Sequence, residues 1–270
     1  MDPAQVDAFF ARTSPDYVFL AAGSSGGIGA NQRYPAELIR DNLLIECNVI
    51  HSAYRHRVKK LIYLASSCCY PKHCPQPMRE DMLLTGPLEP TNEAYAVAKI
   101  AGIKLCQSYN LQYGADFVSL IPANSYGPGD DFNPADSHVI AGLMSKMHHA
   151  KAAGLESVEI WGSGQPRREF IYVDDLANAC LFVMQRYSGS SPINAGYGRD
   201  ISIYDLARLI QEVIGFEGQL SFEPTKPDGM PVKLLDSSVL RELGWQPSIS
   251  LEQGLKTTYK WYLENELSGS

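Results

Sequence analysis

Short, almost unbroken apolar runs alternate along this chain with longer segments whose apolar residues recur at helical spacing. DYVFLAA (Asp16 to Ala22), KKLIYLASS (Lys59 to Ser67) and DFVSLIPAN (Asp116 to Asn124) have the length and apolar continuity of strands buried on both faces. PAELIRDNLLIECNVIHSAYRH (Pro35 to His56) and NEAYAVAKIAGIKLCQSYNLQYG (Asn92 to Gly114) predict helices between them, and DAFFARTS (Asp7 to Ser14) predicts the end of an earlier one. This alternation predicts a parallel sheet covered by helices on both faces, a doubly wound α/β fold.

The rhythm loosens after Asn124. YGPGDDFNPADSH (Tyr126 to His138) reads as a loop, followed by a helix from Val139 to Ala153, a short strand SVEIWG (Ser157 to Gly162) and a loop SGQPRRE (Ser163 to Glu169). DDLANACLFVMQRY (Asp174 to Tyr187) predicts a helix, and SPINAGY (Ser191 to Tyr197) a strand returning to the first sheet. The tail predicts a helix from Ile203 to Ile214, a strand QLSFEP, a KPDGMPVK loop and two more helices, with a frayed NELSGS end. Residues 1–124 with 170–197 are expected to form the larger domain, and residues 125–169 with 198–270 a smaller, mostly C-terminal α/β domain.

At 270 residues, 45% hydrophobic and 20% charged, the chain is long enough for a substantial core and has an ordinary globular composition. Its net charge of −7 argues against a nucleic-acid surface, which carries a basic excess. The start MDPAQVDAFF lacks the basic and apolar regions of a signal peptide, and no run approaches the roughly 18 apolar residues of a membrane helix, so a cytoplasmic location is expected. The six cysteines form no C-x-x-C pair; they are expected to be reduced and mostly buried, and no metal site is expected.

Candidate chemistry gathers where the predicted strands end. Tyr95 and Lys99, four apart on a predicted helix, project from one face, and an ammonium beside a phenol lowers the phenol's pKa toward neutrality. Ser66, Ser67 and Cys68 end one predicted strand and Asn124 the next, at the carboxyl edge where parallel sheets bind ligands. Cys69, next to Cys68, is expected to face the opposite side and join the core, while the adjacent His148 and His149 are expected at the surface. Residues 23 to 29, GSSGGIG, put Gly23, Gly26 and Gly29 in the spacing of a dinucleotide-binding turn, yet the following strand-like run ends in serines rather than a ribose-binding carboxylate.

With the strand-end serine, Y-x-x-x-K and IPANSYGP in place, the chain resembles the extended short-chain dehydrogenase/reductase family, which implies a Rossmann-like fold. The likeness runs through LAAGSSGGIGAN, SSCCYP, EPTNEAYAVAKIAGIKLC, DSHVI, VEIWGSGQPRREFIYVDD and KPDGMPVKLLD. Where sister dehydratases of nucleotide sugars carry an acidic pair, this chain has Ser67 and Cys68, which implies NADPH-dependent 3,5-epimerisation and 4-reduction of a GDP-4-keto-6-deoxy sugar. In that resemblance Ser66 binds the sugar carbonyl, Tyr95 gives it a proton, Lys99 holds the nicotinamide ribose, and Cys68 and His138 are the acid/base pair of epimerisation. Leu64, Ala65, Ser66, Ser67, Lys99, Pro122, Ala123, Asn124, Ser125 and His138 are the implied contacts of NADP(H). Lys146, Arg168 and Lys233 are implied for the diphosphate and sugar hydroxyls, Trp161 for stacking or closing the pocket, and Asp228 for the base or ribose. Lys146 stands where the family more often has Arg, and GPGDDF replaces the usual GPHDNF. A homodimer through the Tyr95 helix and the long helix before it is implied, with no nucleic-acid or membrane partner. A C4 epimerase of another nucleotide sugar, or a catalytically impaired sugar-nucleotide-binding chain, are the other readings.

Residue by residue, GSSGGIG resembles a later turn of the same cleft rather than the family's fingerprint. The fingerprint falls ahead of the matched region, in a segment of about 40 residues that is somewhat longer than a minimal βαβ unit. The chain is therefore expected to be N-terminally truncated, to expose a sheet edge and to bind NADPH weakly. Titration of the purified 270-residue chain with NADPH checks this expectation, and a micromolar dissociation constant would refute it.

Overall fold

Hydrogen-bonding side chains fix where the first helix starts and where a central one ends. Asp2 accepts from the Ala4 amide (2.9 Å) and Pro3 supplies a preset φ, which together start α1 (Pro3–Thr13). The computed structural model describes residues 2–133 and 136–266; the chain's first residue and the last four of the NELSGS end lie outside them. After α1 come β1 (Tyr17–Leu20), α2 (Ile28–Arg33), α3 (Pro35–Arg55), β2 (Lys60–Leu64), α4 (Glu93–Tyr113), β3 (Phe117–Pro122), β4 (Asn124–Tyr126) and α5 (Val139–Ala152). Then follow β5 (Ser157–Trp161), β6 (Arg167–Tyr172), α6 (Val173–Arg186), β7 (Ile193–Ala195), β8 (Asp200–Ser202), α7 (Ile203–Ile214), β9 (Gln219–Glu223), β10 (Val232–Lys233), α8 (Ser238–Glu242) and α9 (Leu251–Asn265).

Strands β1, β2, β3 and β7 pair in that order, all parallel, which is the doubly wound α/β sheet expected from the sequence. Leu61, Ile62 and Tyr63 of β2 and Val118, Leu120 and Ile121 of β3 are fully buried between helices on both faces. A second group, β10-β6-β4 with β8 antiparallel on β6, and the pair β5-β9 surround a separate cluster that includes Met144, Met147, Leu206, Ile210 and Leu255. Among the described residues β1 is an edge strand, and its Tyr17 (56%) and Phe19 (44%) side chains are exposed. No helix of the described residues is long and apolar enough to cross a membrane.

Several local expectations change. SGQPRRE is not all loop: Arg167 to Glu169 begin β6, because pairing with β4, β8 and β10 supplies the strand partners that polar side chains conceal in the sequence. DFVSLIPAN breaks at Ala123 into β3 and β4, which belong to different sheets. β2 ends at Leu64, so Cys69 reaches the core from a 3-10 turn (Ser67–Cys69) and not by strand alternation. Only Cys69, Cys106 and Cys180 are buried, against Cys47 exposed and Cys68 and Cys74 between. His149 is exposed, but His148 is half-buried, its Nδ1 2.9 Å from the Tyr259 hydroxyl, because α9 packs over that face of α5.

The helix that carries Tyr95 and Lys99 is fixed at its end and its middle. Asn110 bonds both the carbonyl (2.8 Å) and the amide (2.9 Å) of Phe117, tying the last turn of α4 to the start of β3. In the middle, Gly102 lies against Tyr63 so closely that a Cβ there would stand 2.4 Å from the ring. Gly102→Ala is accordingly expected to destabilise the fold by about 1–3 kcal/mol through overpacking. Urea unfolding midpoints at unchanged slope check this, and a midpoint equal to wild type would contradict the close approach.

Candidate active site

The site is built on the chain leaving β2. Ser66 is extended, and its Oγ accepts from the Cys68 amide (3.2 Å), starting the 3-10 turn over Ser67–Cys69. That turn directs Cys68 toward the open end of the sheet and Cys69 into the core. Tyr95, one turn before Lys99 on α4, faces Ser66 across the cleft. Lys99 Nζ donates to the Leu64 carbonyl (3.3 Å) and stands 3.3 Å from Glu46 Oε1.

These groups open onto a cleft of about 600 Å³. All of the sequence-predicted residues line it: Leu64 to Cys68, Tyr95, Lys99, Pro122 to Ser125, His138, Lys146, Trp161, Arg168, Asp228 and Lys233. GSSGGIG lines it too, through Gly23, Ser25, Gly26, Gly27, Ile28 and Gly29. The loop is held by Asn31, which donates to the Gly26 carbonyl (2.8 Å), and by Asn42, which accepts from the Ser24 amide (3.2 Å) and donates to its carbonyl (2.8 Å). A Cβ at position 23 would come 2.9 Å from Asn42 Oδ1 and 3.2 Å from Lys99 Nζ, so only glycine leaves room there.

Electrostatics divide the site. Burial opposes ionisation of Cys68, but Lys233, with Nζ 3.2 Å from Sγ, a hydrogen bond with Ser66 and the charge of Arg168 outweigh it and hold the thiol below its ordinary value. Asn92 Nδ2 adds a second contact to Sγ at 3.2 Å. His138 occupies the N-cap position of α5; burial pushes its imidazole below the ordinary value, against the pull of Asp130. Tyr95 departs from expectation: burial, with the charge of Cys68, pushes the phenol well above its ordinary value, and it is not depressed by Lys99. Burial is the main cause, and Lys99 stands apart from the phenol: its Nζ is 6.0 Å from the Tyr95 ring centroid and 3.3 Å from Glu46 Oε1.

At the far end Arg168 donates to the carbonyls of Arg167 and Asp228, both at 2.9 Å. Both Asp228 carboxylate oxygens are engaged by Ser163, at 2.8 Å from its amide and 2.7 Å from its hydroxyl. Lys146 donates to the Glu159 carbonyl, and Trp161 is 55% exposed with Lys226 over its ring. Sequence reasoning missed Asn92, Asp130 and Glu46, and gave Lys233 no contact with the thiol. The quoted EPTNEAY and GPGDDF stretches contained two of these residues, but no sequence signal separated Glu46 from the other polar residues of its helix.

Residues 1–196 match the NAD dependent epimerase/dehydratase family, and the chain belongs to that family. It is 56% identical over 262 residues to GDP-L-fucose synthase 1 of Arabidopsis thaliana, covering 97% of this chain and 81% of that protein. It is 50% identical to GDP-L-fucose synthase of Escherichia coli (strain K12), covering 98% and 86%. Among solved structures, a GDP-L-fucose synthetase from Naegleria fowleri bound to NADP superposes with a TM-score of 0.88 at 31% identity, covering 99% and 83%.

Cys68 is expected to react as a thiolate. Its iodoacetamide alkylation, followed by peptide mass spectrometry across pH, should have a midpoint below the ordinary thiol value of 9.0, and Lys233→Met should raise that midpoint by about one unit or more. An ordinary midpoint in the unaltered chain would contradict the arrangement.

Proposed function

We propose that this chain catalyses NADPH-dependent 3,5-epimerisation and 4-reduction of GDP-4-keto-6-deoxy-D-mannose to GDP-L-fucose. The observation that carries the reading is a thiolate-forming Cys68, held by Lys233, in one cleft with a proton-bearing Tyr95 and its partner Ser66. The names of the relatives support the same substrate class.

Epimerisation needs a base beside a ketone. The Cys68 thiolate takes the proton from the carbon next to C4, and the electron pair moves into the carbonyl, whose oxygen accepts hydrogen bonds from Ser66 and Tyr95. His138, protonated from solvent for this step, returns a proton to the opposite face. Solvent exchange then restores Cys68 and His138.

Reduction uses the same hydroxyl pair. The Lys99 side of the cleft fits the nicotinamide ribose: Gly23 leaves space against Lys99 Nζ that a Cβ would fill, and Leu64, Ala65 and Pro122 to Ser125 form the adjoining wall. When bound, the reduced nicotinamide supplies hydride for C4. The Tyr95 phenol gives its proton to the carbonyl oxygen, Ser66 orients that oxygen, and Lys99 holds the ribose. The raised Tyr95 pKa keeps the proton in place until the oxygen becomes basic. Arg168, Lys146 and Trp161 are proposed to receive the GDP end, and Asp228 to shape that end through Ser163.

A homodimer is part of the proposal, supported by exposed Leu44 (39%) and Tyr54 (36%) on α3 and Val97 (41%), Leu111 (89%) and Tyr113 (47%) on α4, which a second copy would cover. A cytoplasmic setting fits the six free cysteines.

In deuterated buffer with GDP-4-keto-6-deoxy-D-mannose, deuterium is expected to enter at C3 and C5. Cys68→Ser is expected to abolish that exchange. Tyr95→Phe should retain it while lowering the rate of reduction by about 10²- to 10⁴-fold. Failure of the unaltered chain to exchange deuterium would remove the epimerase reading; mass spectrometry and NMR of the sugar nucleotide are the readouts.

A further inference from the structure

Glu46 lies in the middle of α3 and is 1% exposed, buried against α4 and β2. A carboxylate this deep is costly without partners. Its Oε1 accepts from the Tyr63 hydroxyl (2.6 Å) and stands 3.3 Å from Lys99 Nζ, while Oε2 is buried with no hydrogen-bond partner among the described residues. Lys99 is itself 4% exposed; besides its ion pair with Glu46 it donates to the Leu64 carbonyl (3.3 Å), which offers a dipole but no charge. An anion beside a buried ammonium offsets the cost of burying its charge.

We propose that Glu46 is a positioning residue for the reductive half of the reaction: its carboxylate, gripped by Tyr63, keeps Lys99 charged and anchored at the floor of the cleft beside Tyr95. The inference rests on the reductase reading above. It explains three features together. Tyr63, fully buried in β2, has its hydroxyl on Glu46 and its ring 5.0 Å from Lys99 Nζ, so one side chain orients both partners. Gly102 lies against the Tyr63 hydroxyl and ring, which fixes that phenol. Lys99 is held by the Glu46 ion pair and the Leu64 carbonyl while it lines the cleft, where a ribose hydroxyl would be met.

The groups facing Glu46 are Lys99 and Cys106 of α4, Tyr63 of β2 and its neighbour Cys47; Tyr95 is faced by Ser66, Cys68 and Cys69 of the turn after β2 and, at longer range, by Glu46. Burial raises the Glu46 carboxyl, and Lys99 and Tyr63 pull it back.

The test reads Lys99 directly in the chain alone, with no nucleotide or sugar, by NMR of ¹³Cε-labelled lysine, the signal assigned by its loss in Lys99→Met. In Glu46→Gln, which keeps size and an acceptor for Tyr63, the Lys99 titration midpoint is expected to fall by about two pH units or more. Glu46→Asp, which restores the charge, should recover part of that shift. An unchanged midpoint in Glu46→Gln overturns the proposal, and so does an Asp variant that shifts as far as Gln, which would mark the effect as packing. Should Glu46→Gln fail to fold, NMR of ¹³Cδ-labelled glutamate in the unaltered chain decides: an ionised Glu46 at pH 7 supports the proposal, and a protonated one overturns it. In turnover, Glu46→Gln should raise KM for NADPH about ten-fold, as expected for a lost hydrogen bond to a charged group, and leave deuterium exchange at C3 and C5 unchanged. Loss of exchange in the unaltered chain would count against the enzymatic reading alone, and an unmoved Lys99 against the role of Glu46 alone.

Discussion

The close packing of α4 on β2 is the constraint from which the rest of the site follows. A glycine at position 102 lets the helix approach the Tyr63 ring at a distance no other residue allows, and Asn110 ties the helix end to β3. That approach brings Tyr95 and Lys99 to the carboxyl edge of the sheet, against Ser66 and the Leu64 carbonyl. It also buries Glu46 and Tyr63 beside Lys99, so that the carboxylate, the phenol and the ammonium meet one another under the cleft. The reactive groups are thus held on regular elements, with loops completing the cleft.

Within that frame two proton-transfer tasks are separated by local charge. Cys68 has Lys233 and Arg168 near it and is drawn toward its ionised form. Tyr95 is buried, faces the developing thiolate and keeps its proton. In the proposed reaction one residue takes a proton from carbon and the other gives one to oxygen, at the same carbonyl. The segment carrying Lys233 is far from Cys68 in sequence, so the ionisation of the thiol depends on β10 pairing with β6.

Much of this was legible in the chain. Apolar runs such as KKLIYLASS and DFVSLIPAN marked parallel strands because strands buried on both faces show no polar alternation. Tyr95, Lys99, Ser66 and Cys68 were legible because local spacing and strand ends place them, and all of them line one cleft. GSSGGIG proved to be a wall of that cleft, as its flanking residues suggested. β6 was missed: the arginines at its start have no strand propensity of their own, and three partner strands impose the conformation. The depressed Tyr95 pKa inferred from Tyr95 and Lys99 alone was overturned, because helix spacing does not show the burial and the Cys68 charge that raise it.

The division is a physical one. By itself the sequence determined what depends on near neighbours along the chain: the order of strands and helices, the shared face of Tyr95 and Lys99, the serine and cysteine at a strand end, and the glycines that admit a close approach. Only the tertiary structure decided ionisation and reach: which cation meets Cys68, which anion meets Lys99, and which side chains bind the Asp228 carboxylate. Those outcomes depend on distance and burial between residues far apart in sequence, and Coulomb and desolvation energies are set by that spatial arrangement.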